Sequence, residues 1–163
     1  MRRAANLGII AACGENGVIG RAGVLPWDIP EDRKHFLDAT RGGTLIHGRR
    51  VLEELGGVPL PHCDTIVLSR SGALRVEGAS VAGSLPAALD MCDPDRPVWI
   101  GGGTEIYREA LPLASKLLLT VVHASPSGDT YFPAEWEAHF PTETSRRHAS
   151  DDNYSYSFLE LAP

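Results

Sequence analysis

Apolar runs too short to form a helix face, each closed by glycine, proline or charged residues, recur along this chain. Residues 7–13, 44–47, 65–69, 98–100, 117–123 and 154–161 have this form. Continuous rather than alternating apolar residues are what strands buried on both faces of an α/β sheet require. Between them lie helical stretches. Pro30-Glu31-Asp32 opens one, with proline and two acids in a first turn where the helix dipole favours negative charge, and Gly42-Gly43 stops it. Residues 49–55 form a second, closed by Gly56-Gly57; residues 84–91 a third, with Ser84 as N-cap and Pro86 in its first turn; residues 104–111 a fourth, ending at Pro112. Alternating strands and helices predict a single α/β domain over residues 1–163, with a largely parallel sheet. Near the end, strand candidates at 145–150 and 154–161 are separated by Asp151-Asp152-Asn153, the chemistry of a hairpin turn, which makes the sheet mixed.

Composition narrows the functional classes. With 163 residues the chain can bury a core without metal or disulfide staples, and 43% hydrophobic with 22% charged residues is an ordinary globular mixture. A formal charge of −6 gives no basic surface for nucleic acid or an anionic membrane, so an anionic ligand needs a local cluster of donors. Cys13, Cys63 and Cys92 are odd in number and far apart, which points to a reducing, cytoplasmic setting and no disulfide framework. The six histidines lack ligand spacing, so no metal is expected. The apolar run after Met1-Arg2-Arg3 soon meets Gly14, Glu15 and Asn16, and reads as a first strand rather than a signal peptide. No stretch reaches the ~18 apolar residues of a membrane helix, and no obligate protein partner is evident.

Three segments carry candidate chemistry. The first, GENGVIGRAGVLPWDIPED over residues 14–32, is a glycine-rich loop after a buried strand, able to move over a site and exclude water, and it delivers Asp32 to the start of a helix. Taken alone, Asp32 is explained as well by the helix dipole. The second joins Gly48-Arg49-Arg50 to Ser69-Arg70, arginine-bearing turns at two successive strand ends, where phosphates meet free N–H groups and bidentate guanidinium donors. The third, Gly101-Gly102-Gly103-Thr104, lets backbone approach a pyrophosphate closely, although it is not the GxGxxG pattern.

The order and spacing of these segments resemble dihydrofolate reductase over essentially the whole chain. The matched pieces are AACGENGVIG, LPWDIPED, HGRRVLEEL, PLP followed by TIVLSR, IGGGTEIY, LLLT and GDTYFP. The resemblance implies a three-layer fold with a mixed, mostly parallel sheet of about eight strands, a C-terminal antiparallel hairpin and about four helices. It also implies an NADPH-dependent reductase that passes hydride to C6 of a 7,8-dihydropterin, with protonation of N5. By that likeness Asp32 is the acid that grips the pterin, Thr120 its hydrogen-bonding neighbour, and Trp27 the residue that positions an ordered water. Ala12, Leu25, Asp32, Arg33, Phe36 and Leu60 fall on the substrate side. Ala12, Ile19 and Gly20 line the nicotinamide pocket. Gly48, Arg49, Arg50, Val51, Leu68, Ser69 and Arg70 fall on the cofactor-phosphate side, with Arg49 and Arg70 favouring NADPH over NADH. Gly101, Gly102, Gly103, Thr104, Glu105 and Tyr107 form the turn that receives the pyrophosphate. Asp129 and Thr130 match a loop that supports the mobile one.

Members of the family carry an arginine after the PLP turn for the substrate's glutamate tail; here Cys63 takes its place, and a thiol cannot make that bidentate charged contact. Val51 stands where a hydroxyl residue usually follows the GR pair, Gly101 where a bulky apolar residue precedes the glycine pair, and Arg33 where leucine is usual. Two accounts follow. Either Arg33, Arg50 or His62 serves the tail carboxylate and the substrate is dihydrofolate, or the substrate is dihydromethanopterin, with Gly101 leaving room for extra ring methyls. Dihydrofolate is the first reading and dihydromethanopterin the alternative, with a non-catalytic pterin-binding relic more remote. A pyrimidine reductase sharing the fold is disfavoured by LPWDIPED.

Overall fold

In the computed structural model, which describes residues 3–20 and 26–163, the apolar runs become neighbours in one sheet. The chain runs β1 (Ala4–Gly14), β2 (Val18–Gly20), α1 (Pro30–Thr40), β3 (Thr44–Gly48), α2 (Arg49–Glu54), β4 (Asp64–Leu68), β5 (Ser80–Ala82), α3 (Leu85–Asp90), β6 (Val98–Ile100), α4 (Thr104–Ala110), β7 (Ala114–Val122), β8 (Thr130–Tyr131), α5 (Trp136–His139), β9 (Thr142–Ser150) and β10 (Ser155–Ala162). Eight strands form one sheet in the order β5-β4-β3-β6-β1-β7-β10-β9, while β2 and β8 make a separate ladder. From β5 to β7 every neighbouring pair is parallel. Only β10 breaks the direction, antiparallel to both β7 and β9.

Successive residues of β1 point to opposite faces, and both faces are covered. Leu7, Ile9, Ala11 and Cys13 pack with Leu85 and Ala88 of α3 and Tyr107 and Ala110 of α4. On the other face Ile10 packs with Leu45 of β3 and Trp99 of β6, against Phe36 and Ala39 of α1. Helices on both sides of the sheet give the expected layers and explain why the strands read as continuous apolar runs. The capping signals act as expected. The Ser84 hydroxyl accepts from the Ala87 N–H at 3.2 Å, and the Asp151 carboxylate accepts from the N–H groups of Asn153 and Tyr154 at 2.8 and 2.7 Å, closing the hairpin.

The pattern understates the element count. β2, β5 and β8 have three, three and two residues, and α5 has four, bringing the helices among the described residues to five. Elements this short complete no period of 2 or 3.6 that would stand out in sequence. Strand β9 begins at Thr142 rather than 145, and its exposed residues carry no apolar signal. The parallel arrangement has one main consequence for function. The carboxyl ends of β1, β3, β4 and β6 share one edge, so the loop after Gly14, the Gly48-Arg49 turn, the Ser69-Arg70 turn and the triple-glycine turn converge there, at the place where open α/β sheets bind ligands.

Candidate active site

Asp32 lies in the first turn of α1, which opens with Pro30 and has no side-chain cap. Its side chain faces the sheet instead of the helix end. The Thr120 hydroxyl of β7, 1% exposed, donates to Asp32 Oδ1 at 2.7 Å, joining residues 88 apart in sequence. Burial pushes the Asp32 carboxyl above its ordinary range, against the opposing pull of the Thr120 hydrogen bond and of His35. An acid that merely complemented a helix dipole would stand exposed, whereas this one is half-buried and held by Thr120. Trp27 is buried close by in sequence, packed with Ile29, Val122, Tyr156 and Phe158 and with Ala12 of β1. Its indole Nε1 is buried without an acceptor among the described residues.

The glycine turn supplies the second half of the site. Gly102 has φ +112°, and a Cβ there would sit 3.2 Å from Tyr107 and 3.3 Å from Val51, whereas a Cβ on Gly103 would meet nothing within 4 Å. Gly103 therefore presents bare backbone to open space, and a side chain at Gly102 would be crowded and strained by the positive φ. The turn is tied to its neighbour by the Gly48 N–H, which donates to the Gly102 carbonyl at 2.9 Å. Buried His47 stiffens the same corner, with Nδ1–H donating to the Gly48 carbonyl at 2.9 Å. Arg49, Arg50 and Arg70 are exposed around this cradle. Arg49 makes a long 3.8 Å contact to Glu53, and the Ser69 hydroxyl accepts from the Ser71 N–H at 3.1 Å. Three cations around a side-chain-free backbone turn suit a phosphorylated dinucleotide.

Several expected residues have other duties. Tyr107 is buried under the turn and donates to the Ile10 carbonyl at 2.9 Å, so it supports the glycines from below. Thr104 donates to the Tyr131 carbonyl at 2.7 Å, and Glu105 accepts from Arg108 at 2.7 Å. Ile19 and Leu68 are half-buried against the main core. Val18 and Gly20 pair with Tyr131 and Thr130, so the Asp129-Thr130 segment is joined to the start of the glycine-rich loop. Arg33 points to solvent and pairs with Asp28 at 3.2 Å, away from the Asp32 group. Leu25, expected to close over the pocket, lies outside the described residues.

On the side beyond Asp32, half-buried Phe36, Leu60 and Cys63 pack around Ile10, Leu45 and Trp99, an apolar wall with a thiol in it. His62 is held by Thr40, whose hydroxyl lies 2.8 Å from Nε2. The expectation of spare room beside Gly101 fails, because a Cβ there would lie 2.9 Å from Leu45 Cδ1. Leu45 already fills that volume. Sequence reasoning also passed over Trp99 and His35. Trp99 faces Gly8 across β6 and β1, where a Cβ would come within 2.5 Å of the indole. His35, three residues after Asp32, was the readable signal, because that spacing puts both on one helix face.

Comparison with known proteins gives a consistent result. The sequence model described as dihydrofolate reductase matches residues 6–162. Dihydrofolate reductase of Neisseria meningitidis is 41% identical over 152 residues, 93% of this chain and 94% of that protein. The Bacillus subtilis dihydrofolate reductase is 32% identical over 155 residues, 94% of this chain and 92% of the other. A solved structure of dihydrofolate reductase from Enterococcus faecalis, complexed with NADP(H) and RAB-propyl, superposes with a TM-score of 0.89 at 32% identity, covering 98% of this chain and 97% of that one.

Proposed function

The chain belongs to the dihydrofolate reductase family, and from that premise we propose that it reduces 7,8-dihydrofolate to tetrahydrofolate with NADPH, hydride going to C6 and a proton to N5. The observation that carries the proposal is the Asp32 carboxylate, half-buried and fixed at 2.7 Å by Thr120 on the sheet edge that also bears the glycine cradle. NADPH supplies the hydride when bound.

The protein's part is placement and electrostatics. Asp32 accepts hydrogen bonds from the pterin's 2-amino group and neighbouring ring nitrogen, and Thr120 keeps its carboxylate from rotating. Such a contact fixes the ring's orientation and makes it more basic without reaching N5. Trp27, whose N–H lacks an acceptor among the described residues, is suited to hold the water that serves the pterin edge. Ala12 and the Ile19-Gly20 segment line the nicotinamide side, while Phe36 and Leu60 pack on the pterin and its benzoyl group. Gly48, Arg49, Arg50, Ser69 and Arg70 hold the adenosine phosphate end, and Gly102 and Gly103 the pyrophosphate. No helix among the described residues is long and apolar enough to cross a membrane, and the three free cysteines suit a reducing cytoplasm.

The test follows NADPH absorbance with purified protein. Oxidation with micromolar dihydrofolate is expected, and Asp32→Asn should lower the hydride-transfer rate by about 10²-fold or more. Turnover with dihydromethanopterin alone would overturn the substrate. Near-parental rates for Asp32→Asn would remove Asp32 from its role.

A further inference from the structure

Asp32 and His35 leave the same face of α1 one turn apart, and what lies beneath them repeats that spacing. Thr120 of β7 and Phe158 of β10 are direct register partners on adjacent antiparallel strands. Thr120 holds the Asp32 carboxylate at 2.7 Å, and the Phe158 ring lies 4.7 Å from the His35 ring, centroid to centroid. Side chains three apart on a helix and residues opposed across two strands are both separated by about 5 Å. One pair therefore sits squarely on the other, and His35 is held beside the carboxylate by packing.

The electrostatic setting is also defined. From its own helix His35 is faced by Asp32, Glu31 and Asp38, and from β9 by Arg147. The Arg147 guanidinium covers Phe158 at 4.4 Å and pairs with Glu31 at 2.9 Å. Glu31 also accepts from the Tyr156 hydroxyl at 2.9 Å. Glu31 is thereby committed to Arg147 and Tyr156, which leaves Asp32 as the leading attraction for a charge on His35. Burial drives each of the two toward its neutral form, Asp32 upward and His35 downward from their ordinary values, while each one's charge favours the other's.

We propose that His35 is a positioning residue: seated on Phe158 one turn from Asp32, it sets the pH at which the pterin-facing carboxylate changes its protonation state, and the two titrate as a coupled pair. This rests on the reading of Asp32 as the pterin's partner. A cationic His35 stabilises the carboxylate, so the pH profile of hydride transfer carries the properties of the pair and not of Asp32 alone.

The test compares His35→Phe and His35→Lys, with the pH dependence of hydride transfer read from the isotope effect with deuterated NADPH. His35→Phe should move the apparent midpoint of Asp32 upward by at least half a unit, about threefold in the acid constant. His35→Lys, which keeps a positive charge, should leave it at or below the parental value. A purely structural role would move both variants in the same direction or neither, and either result overturns the proposal. Should these variants fail to fold, NMR titration of the His35 imidazole replaces them, comparing the parent with Asp32→Asn. By reciprocity the His35 midpoint falls when the carboxylate is removed, and an unmoved midpoint overturns the coupling. Retained hydride transfer in Asp32→Asn would instead overturn the reading of the site itself.

Discussion

Cys63 stands where the resemblance leads one to expect an arginine, and its surroundings suit an uncharged side chain. It is half-buried beside Phe36, Ala39 and Leu60, a wall in which an uncharged thiol needs no partner. Of the residues expected to serve in an arginine's stead, Arg33 is turned to Asp28 and His62 is held by Thr40. Burial and the nearby Arg41 also push His62 below its ordinary range, which disfavours its charged form. Restoring the cation should therefore strengthen recognition of a tail carboxylate. Cys63→Arg, its stem lying along the same apolar wall, is expected to tighten binding of a folate-like inhibitor with a glutamate tail by about tenfold or more. A tail-less diaminopyrimidine, held through Asp32, should change by less than about twofold. Fluorescence titration of both ligands checks this, and equal gains for the two would remove Cys63 from the tail subsite. The resemblance names Asp32 and Thr120 together, and the structure joins them by a hydrogen bond of 2.7 Å. The direction of Arg33 was not legible, because sequence adjacency says nothing about where a side chain points. Arg33 follows Asp32 by one residue, which on a helix turns its side chain about 100° away.

At the scale of elements, the turn after β6 shows volume being traded between neighbouring strands. Gly101 and Leu45 compete for the same space, since a Cβ on the glycine would come 2.9 Å from Leu45 Cδ1. Strand β3 lies directly against β6, with Leu45 opposite Trp99 and Ile46 opposite Ile100. Leu45 is fully buried, so it has nowhere to move. Gly101→Ala should destabilise the protein by about 1–3 kcal/mol through overpacking, and Leu45→Val by about 1 kcal/mol through lost burial. Together they should cost less than their sum, with a coupling of at least ~0.5 kcal/mol in a denaturant-unfolding cycle. Simple additivity would show that the two side chains do not share the site. This exchange was invisible in the sequence, because Leu45 and Gly101 are 56 positions apart (101 − 45) and only the parallel pairing of β3 with β6 makes them neighbours. The short ladder of β2 with β8 escaped notice for the same reason. Val18 and Tyr131 carry no local sign that they will pair.

Over the whole molecule, the alternation of apolar runs and capped helices was enough to read the layers, the mostly parallel sheet and the terminal hairpin, because burial on both faces leaves a direct trace in residue type. It could not show that this architecture keeps a carboxylate under the helix that packs on it, at a cost to stability. Burial raises the folded-state pKa of Asp32 above the ordinary value of 3.8. Between that value and the raised one, the folded protein binds more protons than the unfolded chain, so stability falls as pH rises through the window. Above the raised pKa the loss is complete and constant. An amide at this position cannot ionise, can still accept the Thr120 hydroxyl, and escapes the loss. Asp32→Asn is therefore expected to melt above the parent at neutral pH while losing hydride transfer, the trade a functional site imposes on its fold. The advantage should shrink as pH falls through the raised value toward 3.8, below which the carboxyl of the unfolded parent becomes protonated as well. His35 works in the opposite direction. Burial lowers its folded pKa, so its contribution to stability is lost as pH falls below about 6.5; it is shared by both proteins and changes in Asp32→Asn only through the lost coupling. Calorimetry of the two proteins from pH 4 to pH 8 decides the matter. A melting difference that stays flat with pH, or favours the parent at neutrality, would mean that the ionised carboxylate is fully compensated where it lies.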